Sequence, residues 1–281
     1  MKKIGIIAKT GEPEAVKSVR HFLDCLKGKD YTFFIERETA AILRTKGYRR
    51  NDIPGKSDLI VVFGGDGTVL SVARLVGSLG VPILGVNLGR LGFITELRKD
   101  EICSNINRIL SGKCGFEERN VLSADVFRGR KKIIRNNALN DIVLNKSALS
   151  RMFELDIRID NKYASTFRAD GLIVSTPTGS TAHSLSAGGP ILYPTLGSFL
   201  LTPICPHTLT SRPIVLPDTF LLEIDIKSGD DIYLTLDGQV GYPLKVKDRI
   251  KIKKAAYRTR FLVLDSRDYF QILRTKLKWG E

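Results

Sequence analysis

Five consecutive apolar residues, Leu59-Ile60-Val61-Val62-Phe63, restrict the possible folds of this 281-residue chain more than any other feature. A strand that is apolar at every position must be covered on both faces, as strands of parallel sheets are. Similar apolar runs lie at 4–8, 31–35 and 81–86, with stripes of helical period between them. This alternation predicts an α/β fold built on an open parallel, Rossmann-like sheet with helices on both sides.

The second half of the chain changes to a period of two. From about residue 116 onward, apolar and polar side chains alternate over 153–159, 220–226 and 232–236. Alternation of this kind, broken by turn residues, is typical of antiparallel strands that bury one face. We therefore expect the second half to form a mostly antiparallel β-sandwich.

These two patterns predict two domains, and 281 residues also exceed the usual size of one domain. We expect an α/β domain formed by residues 1–98 and 258–281, and a β-rich domain formed by residues 99–257. Apolar residues at helical spacing from Tyr269 to Leu277 predict a terminal helix. A single helix after a β domain needs a surface to pack on, and we expect it to pack back on the first domain.

The net charge of +14 raises the question of nucleic-acid binding. The basic residues are spread along the chain, however, with only short clusters such as 128–132, and the sequence carries no nucleic-acid-binding motif. A general positive field also attracts small anions such as nucleotides. We expect small anionic ligands and no nucleic-acid partner.

Cysteine usage and hydropathy indicate the compartment. Cys25, Cys103, Cys114 and Cys205 are far apart, and with three histidines in the chain they predict reduced thiols and no zinc site. No apolar run approaches the roughly 18 residues that a membrane span needs. The apolar stretch near Met1 is too short for a signal peptide. We expect a cytoplasmic protein with no membrane partner.

The segment Gly64-Gly65-Asp66-Gly67-Thr68 lies between a buried strand and a helix. Open α/β sheets bind ligands at the carboxyl ends of their strands, and the first-turn amides of the following helix attract an anion. The segment is therefore interpreted as a phosphate-handling loop. A carboxylate in a phosphate loop would repel the ligand, so its presence there indicates a chemical role. Asp66 is expected to accept a proton or to hold a metal ion. The alternative is that Asp66-Gly67 is only a tight turn.

Other polar segments also interrupt apolar ones. Asn87–Phe93 follows the next strand and is either a second wall of the same cleft or an ordinary β-α loop. Asn140-Asp141 suits hydrogen bonds to sugar hydroxyls or a base edge, or else marks a strand end. Asp237-Gly238-Gln239, taken alone, predicts a hairpin turn.

The stretch from Asp170 to Pro190 contains the highest density of small polar residues. A short strand leads into a turn rich in Pro, Gly, Ser and Thr, a brief helix near Ser180 and another glycine turn. Small hydroxyl side chains and an accessible backbone suit a purine and a ribose. The alternative, a capping loop, explains Ser180 or Thr181 as a helix N-cap but does not explain the remaining polar residues.

Together these segments resemble the NAD kinase family, whose members phosphorylate the 2′-hydroxyl of the adenosine ribose of NAD to make NADP. The resemblance extends from Leu59 to the terminal helix. The loop at 64–68 is shared with diacylglycerol and sphingosine kinases and, loosely, with phosphofructokinases. The stretch 170–190 is far more specific to NAD kinases, and the motifs at 87–93 and 237–239 also match.

The resemblance implies a role for each matching residue. Asp66 would be the general base that takes the ribose proton, in a phosphate loop with Gly64, Gly65 and Thr68. The residues implied in binding NAD or nucleotide are Gly67, Asn140, Asp141, Arg151, Arg168, Asp170, Thr181, Ala182, His183, Ser184, Leu185, Ser186 and Gln239. The resemblance also implies ATP and NAD as substrates, a divalent cation such as Mg²⁺ as cofactor, and a homo-oligomer, a dimer or a tetramer, in which neighbouring subunits share sites.

Two departures from the family pattern stand out. Members often have Glu at the position of Asp141, and many have Tyr at the position of His183. Asp141 retains the carboxylate on a side chain that is one methylene shorter than that of Glu. His183 is expected to pack or stack against the dinucleotide rather than to catalyse, because phosphoryl transfer needs little covalent help.

The expected reaction is in-line transfer of the γ-phosphoryl group from ATP, or from polyphosphate, to NAD. Two alternatives remain open on the residues alone. A lipid kinase would share the loop at 64–68, although the stretch 170–190 argues against it. A basic nucleotide or nucleic-acid sensor built on the same fold would lack turnover.

Overall fold

The computed structural model describes residues 1–89, 92–208, 210–264 and 268–279. The chain divides into two compact units. Unit 1 comprises Met1–Glu118 and Thr259–Glu281, and unit 2 comprises Arg119–Arg258. Residues 99–118, which the sequence pattern groups with the β-rich domain, belong to unit 1 because the apolar face of a helix in that segment joins its core.

Unit 1 is an α/β unit. Its strands are β1 Lys3–Ala8, β2 Thr32–Glu36, β3 Gly47–Tyr48, β4 Leu59–Phe63, β5 Ile83–Asn87, β6 Leu97–Arg98, β7 Gly115–Arg119, whose last residue lies in unit 2, and β20 Thr259–Val263. Its helices are α1 Pro13–Cys25, α2 Arg37–Leu43, α3 Asp66–Val76, α4 Ile102–Leu110 and α6 Tyr269–Leu277.

The sheet of unit 1 follows the order β3-β2-β1-β4-β5-β20-β7, with β6 paired to β5. The pairs from β3 to β20 and the pair β5–β6 are parallel. All five residues of β4 are buried, as its apolar sequence predicts. The predicted parallel sheet is thus confirmed, and the terminal helix α6 belongs to unit 1.

Helix α1 illustrates how local sequence builds this unit. Pro13 occupies the start of the helix, where its missing N–H costs nothing. Ala15, Val19 and Phe22 recur on one face and are fully buried in the core of unit 1. Among the described residues, no helix is long and apolar enough to span a membrane.

Unit 2 is dominated by antiparallel strands. Its strands are β8 Leu122–Arg128, β9 Lys131–Ala138, β10 Asp141–Lys146, β11 Phe153–Ile159, β12 Lys162–Ala169, β13 Gly171–Ser175, β14 Ser198–Ile204, β15 Ile214–Pro217, β16 Leu222–Ser228, β17 Ile232–Leu236, β18 Val240–Leu244 and β19 Asp248–Lys254. A short helix, α5, spans His183–Ser186.

The strands of unit 2 form two six-stranded sheets, in the orders β15-β14-β13-β10-β17-β18 and β12-β11-β16-β19-β8-β9. Inward-facing residues of both sheets share one buried core, to which Phe199 of the first and Phe153 of the second contribute. The predicted antiparallel β-sandwich is therefore confirmed.

The prediction of four reduced thiols is wrong for one pair. Cys25, at the end of α1, and Cys103, in α4, form a disulfide although 78 residues separate them. Packing of α1 beside α4 brings their Cα atoms to 5.9 Å, within the usual range for disulfides, and sequence spacing does not reveal this proximity. Cys114 and Cys205 lie outside this disulfide.

Candidate functional site

The predicted phosphate loop of unit 1 lies at the carboxyl edge of the parallel sheet. It joins β4 to α3, and the Gly64 N–H donates to the Val86 carbonyl of β5 at 2.9 Å. The extended backbone of Gly65 caps the helix, and its carbonyl accepts from the N–H groups of Thr68 and Val69 at 3.0 and 3.2 Å. This places the amino end of α3 at the sheet edge, where helix dipoles favour anions.

The carboxylate of Asp66 is held by a neighbouring loop. It is half-buried, and its two oxygens accept from the backbone N–H groups of Phe93 at 2.9 Å and Ile94 at 3.2 Å. A Cβ atom on Gly92 would overlap Oδ1 of Asp66, so glycine is required for this approach. The 87–93 segment thus forms a second wall beside the phosphate loop, whereas its Arg90 and Leu91 lie outside the described residues.

Asn87 and Thr95 shape that second wall from within. Asn87 Oδ1 accepts from the Gly89 N–H at 2.9 Å, and its Nδ2 donates to Thr95 Oγ1 at 3.2 Å. Thr95 Oγ1 also accepts from the Gly92 N–H at 2.8 Å. Both side chains are buried, so the polar motif serves to fix the backbone that meets Asp66.

In unit 2, Asp237 organises the segment that carries Asn140 and Asp141. It is buried, and its carboxylate accepts from the N–H groups of Leu139 at 3.2 Å, Asn140 at 2.7 Å and Asp141 at 3.3 Å. Asp237 and Gly238 both have positive φ and are the central residues of a turn that the Gln239 N–H closes by donating to the Leu236 carbonyl at 3.0 Å. The predicted hairpin turn is confirmed, and the same turn aims a carboxylate at three amides.

Asp141 begins β10 and is buried beside this second carboxylate. Burial, with a further contribution from the negative charge of Asp237, raises the pKa of Asp141 to about 7. Two carboxyl groups that share a site resist ionising together. The pair can therefore hold or release one proton close to neutral pH.

The side-chain oxygen of Asn140 lacks a partner. In the described part of the chain, its Oδ1 is buried with no hydrogen-bond donor. The backbone of Gly179 approaches so closely that a Cβ there would overlap the Asn140 carbonyl oxygen. That carbonyl accepts from the Thr176 N–H at 2.9 Å, which fixes the segment further. A buried acceptor without a donor is costly, and a hydrogen-bond donor brought to this oxygen would remove that cost.

The small polar residues of 170–190 divide into two groups. Thr176, Ser180 and Ser184 are fully buried and bonded within unit 2: Thr176 Oγ1 to the Leu139 carbonyl at 2.6 Å, Ser180 Oγ to the Pro177 carbonyl at 2.7 Å and Ser184 Oγ with Thr202 Oγ1 at 2.8 Å. Their hydroxyls build the loop rather than line a ligand surface.

The second group in this stretch reaches solvent. His183 and Ser186 are exposed, and Thr181, Ala182 and Leu185 are partly exposed. The predicted helix near Ser180 is a 3₁₀ turn over Thr178–Thr181 followed by α5. Neither segment uses a side-chain cap, so the density of Ser and Thr does not reflect N-capping.

The remaining predicted residues fall at two ends of one strand pair. Gln239 is exposed in the hairpin beside Asn140 and Asp141. Asp170, by contrast, precedes β13, whose Gly171 pairs with the far end of β10 and whose Ser175 pairs with Asp141. Four residue steps correspond to about 14 Å.

Three basic residues accompany Asp170 at that far end. Lys146 Nζ lies 3.7 Å from Asp170 Oδ1 and partly neutralises the carboxylate. Arg168 is exposed on β12, and Arg151 is exposed in the segment that follows β10. One copy of unit 2 therefore does not gather all the predicted nucleotide-binding residues around Asn140.

Comparison with known proteins agrees with the two-unit architecture. The family model for the ATP-NAD kinase N-terminal domain matches residues 4–114, and the model for the ATP-NAD kinase C-terminal domain matches residues 139–264. The chain is 48% identical over 283 residues to the NAD kinase of Geotalea daltonii and 45% identical over 284 residues to that of Syntrophotalea carbinolica. Each alignment covers 100% of both chains.

Solved structures give the same result. A crystal structure of yeast NADH kinase complexed with NADH superimposes with a TM-score of 0.94 at 27% identity and covers 100% of this chain and 89% of that one. A crystal structure of an NAD kinase from Archaeoglobus fulgidus in complex with ATP has a TM-score of 0.79 at 24% identity, covers 98% of each chain, and supports the fold.

Proposed function

The chain belongs to the ATP-NAD kinase family, and we propose that it transfers the γ-phosphoryl group of ATP to the 2′-hydroxyl of the adenosine ribose of NAD, forming NADP and ADP. The observation that carries the assignment of the acceptor is the buried, unpartnered Oδ1 of Asn140 in unit 2. The amino group of adenine is a donor of the kind that this oxygen requires. The cytoplasm remains the expected compartment.

Asp66 is the proposed general base. A carboxylate has about four lone-pair positions, and the N–H groups of Phe93 and Ile94 each occupy one. They orient the carboxylate and leave capacity for the ribose hydroxyl. Base assistance of this kind is typically worth about 10² to 10⁴ in rate. The amino end of α3 would complement the phosphate charge through its backbone amides.

Magnesium fits this loop as a phosphate-bound ion. Mg²⁺ prefers oxygen ligands and usually enters kinase sites on substrate phosphates with one or two protein carboxylates. Among the described residues, the one metal-ligating cluster consists of two cysteines and a histidine, a donor set unsuited to Mg²⁺. Asp66 is the carboxylate in the loop that would complete the shell. The ion would supply charge neutralisation on the transferred group.

The adenosine moiety is proposed to bind along the turn region of unit 2. Asn140 would accept from the adenine amino group, and the Asp141 carboxyl would bond a ribose hydroxyl. Thr181, Ala182 and Ser186 present partly or fully exposed atoms for contact. His183 would pack against the ligand, because its ring is exposed at the start of α5.

Arg168 and Asp170 are proposed to serve a dinucleotide held by a neighbouring copy. They lie at the end of β10 and β13 opposite to Asn140, which is too far for compact contacts with the same adenosine. A homo-oligomer, a dimer or a tetramer, would bring this end beside another copy's Asn140. Size-exclusion chromatography with light scattering tests this expectation, and a monomer that retains full activity would refute it.

The decisive experiment is product formation. The purified chain with Mg²⁺ is incubated with ATP or polyphosphate as donor and with NAD, NADH or diacylglycerol as acceptor, and NADP, NADPH or phosphatidate is quantified. We expect NADP from ATP and NAD. Phosphatidate without NADP would indicate a lipid kinase, and nucleotide binding without any product would indicate a sensor.

A further inference from the structure

Three metal-ligating side chains meet where two helices of unit 1 pack together, and none of them is assigned to phosphoryl transfer. His21 and Cys25 lie four residues apart on α1, so they share one face of the helix. Cys103 approaches from α4, and its sulfur lies 3.9 Å from the His21 carbonyl oxygen. The imidazole nitrogen and the two sulfurs lie within 4.8 Å of one another.

We propose that His21, Cys25 and Cys103 form a binding site for a thiophilic transition-metal ion, with zinc as the best fit, and that the Cys25–Cys103 disulfide is its metal-free, oxidised form. The ion would crosslink α1 to α4 in the reduced protein, as the disulfide does in the oxidised protein. The site is separate in chemistry from the magnesium requirement of the kinase reaction.

The donor set selects the metal. Thiolate and imidazole ligands suit zinc, whereas magnesium prefers oxygen. Tetrahedral zinc with Zn–S of about 2.3 Å and Zn–N of about 2.0 Å places its ligand atoms about 3.5 to 3.8 Å apart. With Cα atoms 5.9 Å apart, Cys25 and Cys103 can reach that separation by side-chain rotation once the S–S bond is broken.

The site is open on one side. His21 is exposed, and it lines a cavity of about 630 Å³ together with Lys17 and Arg20. Three protein ligands leave a fourth tetrahedral position, which water would occupy from that side. His21 therefore gives the proposed site a side that faces open space, while Cys25 and Cys103 are partly exposed.

The two states interconvert by a balanced exchange. A dithiol reductant supplies two electrons and two protons to the disulfide, which gives two thiols and the oxidised reductant. Metal binding then displaces the thiol protons, because the thiolate is the ligand. In the reverse direction a disulfide oxidant would take two electrons from the two thiolates and leave as two thiolates, which would form the Cys25–Cys103 S–S bond again and release the ion.

The test uses cobalt and zinc alone on the full chain. Protein reduced with a phosphine, and protein left oxidised, are titrated anaerobically with Co²⁺ while thiolate-to-cobalt charge-transfer and tetrahedral d–d absorption are recorded. We expect one Co²⁺ per chain in reduced protein only, displaced by one equivalent of Zn²⁺ and not by Mg²⁺. Cys103→Ser should lose the charge-transfer band, and His21→Ala should weaken affinity at least tenfold.

Cys114→Ser provides the matched control, because Cys114 lies in the same unit and outside the Cys25–Cys103 disulfide. It should bind cobalt as the unmodified chain does. Absence of the charge-transfer band in reduced protein, or equal binding by oxidised protein, would refute the proposal. These two comparisons need no substitution, so they hold even if a variant fails to fold. NADP formation is not part of the readout, and the outcome is independent of the proposed kinase function.

Discussion

Two aspartates, Asp66 at the start of α3 and Asp141 at the start of β10, show that the two units surround a carboxylate in opposite ways. Asp66 in unit 1 faces backbone donors, since Phe93 and Ile94 each direct an N–H group at it. Asp141 in unit 2 is buried and faces a second carboxylate, Asp237, and its pKa rises to about 7. The first arrangement orients an acceptor. The second keeps a proton available close to neutral pH.

The difference follows from what each backbone segment requires. In unit 1, the backbone at 92–94 is held by Thr95, to which Asn87 donates, and its N–H groups at 93 and 94 meet the Asp66 carboxylate. In unit 2, three consecutive amides at 139–141 are satisfied by Asp237, and this places one negative charge beside another. The carboxylate that fixes this backbone therefore adds to the effect of burial and raises the pKa of the neighbouring Asp141.

The largest effect is expected at Asp66. Asp66→Asn keeps a side chain of the same size but removes the base, so kcat should fall about 10² to 10⁴-fold while the KM for NAD changes much less. Steady-state kinetics of NADP formation measure both. Near-normal turnover in a folded variant would remove Asp66 from the role of base.

Asp58→Asn is a matched control in the same unit. The Asp58 carboxylate also accepts from two backbone N–H groups, those of Lys2 and Lys3, at 2.9 and 3.0 Å. These hydrogen bonds lower the pKa of Asp58, so its loss affects stability. Turnover per folded molecule should remain unchanged. A comparable loss of kcat in both variants would show that the Asp66 effect is structural.

The second prediction concerns the charge of Asp141. Its pKa is about 7 in the folded protein and near 3.8 when unfolded, so the folded state binds the proton more tightly. The resulting cost is absent below about pH 3.8, grows as the pH rises, and is complete above about pH 7. Asp141→Asn should therefore stabilise the protein at pH 8, by up to about 4 kcal/mol, and less at pH 5.

Melting temperatures of both proteins at the two pH values test this prediction. Asp125→Asn is the control of opposite sign. Burial acts to raise the pKa of Asp125, but hydrogen bonds from Arg135 and Lys132 outweigh it and lower the pKa. Its replacement should destabilise the protein more at neutral than at acidic pH. If Asp141→Asn changes the melting temperature equally at both pH values, the pKa of Asp141 is not raised as described.

Much of the fold could be predicted, because strands that must be covered on both faces leave few options. The apolar residues 59–63 became β4, and the alternating residues 153–159 became β11. The helix α4 and its place in unit 1 were missed, although Ile102, Ile106 and Ile109 mark an amphipathic face. The predicted boundary at residue 98 lies 20 residues before the end of the first segment of unit 1 at Glu118, because the period-two pattern further along the chain was extended over α4.

The candidate site was predicted by motif, but its internal contacts could not be. Nothing local signals that Asp237 bonds amides about 97 residues away, or that Gly92 is needed beside Asp66. The sequence does show the Asp-Gly pair at 237–238 and the glycine before Phe93, but a hairpin turn and an ordinary loop are sufficient to explain them. Contacts distant in sequence depend on register and packing, which periodicity does not specify.

The third prediction tests the contact between Gly92 and Asp66. Gly92→Ala places a methyl group against Oδ1, so Asp66 must shift, and a displacement on the scale of 1 Å can cost about 10²-fold in rate. We expect kcat to fall at least tenfold. Gly89→Ala is the control in the same loop, because a Cβ there meets nothing within 4 Å. An equal kcat for both variants would show that the contact between Gly92 and Asp66 does not affect catalysis.

The smallest effect is expected at Asn140. Asn140→Ala removes one neutral hydrogen bond of about 0.5–1.5 kcal/mol, so the KM for NAD should rise about two- to tenfold with kcat less affected. The loss is limited because the unliganded variant no longer buries an unpartnered oxygen, which should make it slightly more stable. Asn136→Ala is the control, because that side chain is already bonded to the Tyr242 hydroxyl at 3.0 Å. It should lower stability and leave the KM unchanged. If the KM for NAD rose in Asn136→Ala and not in Asn140→Ala, Asn140 would not be the residue that recognises adenine. The role of Asp66 would be unaffected by that result.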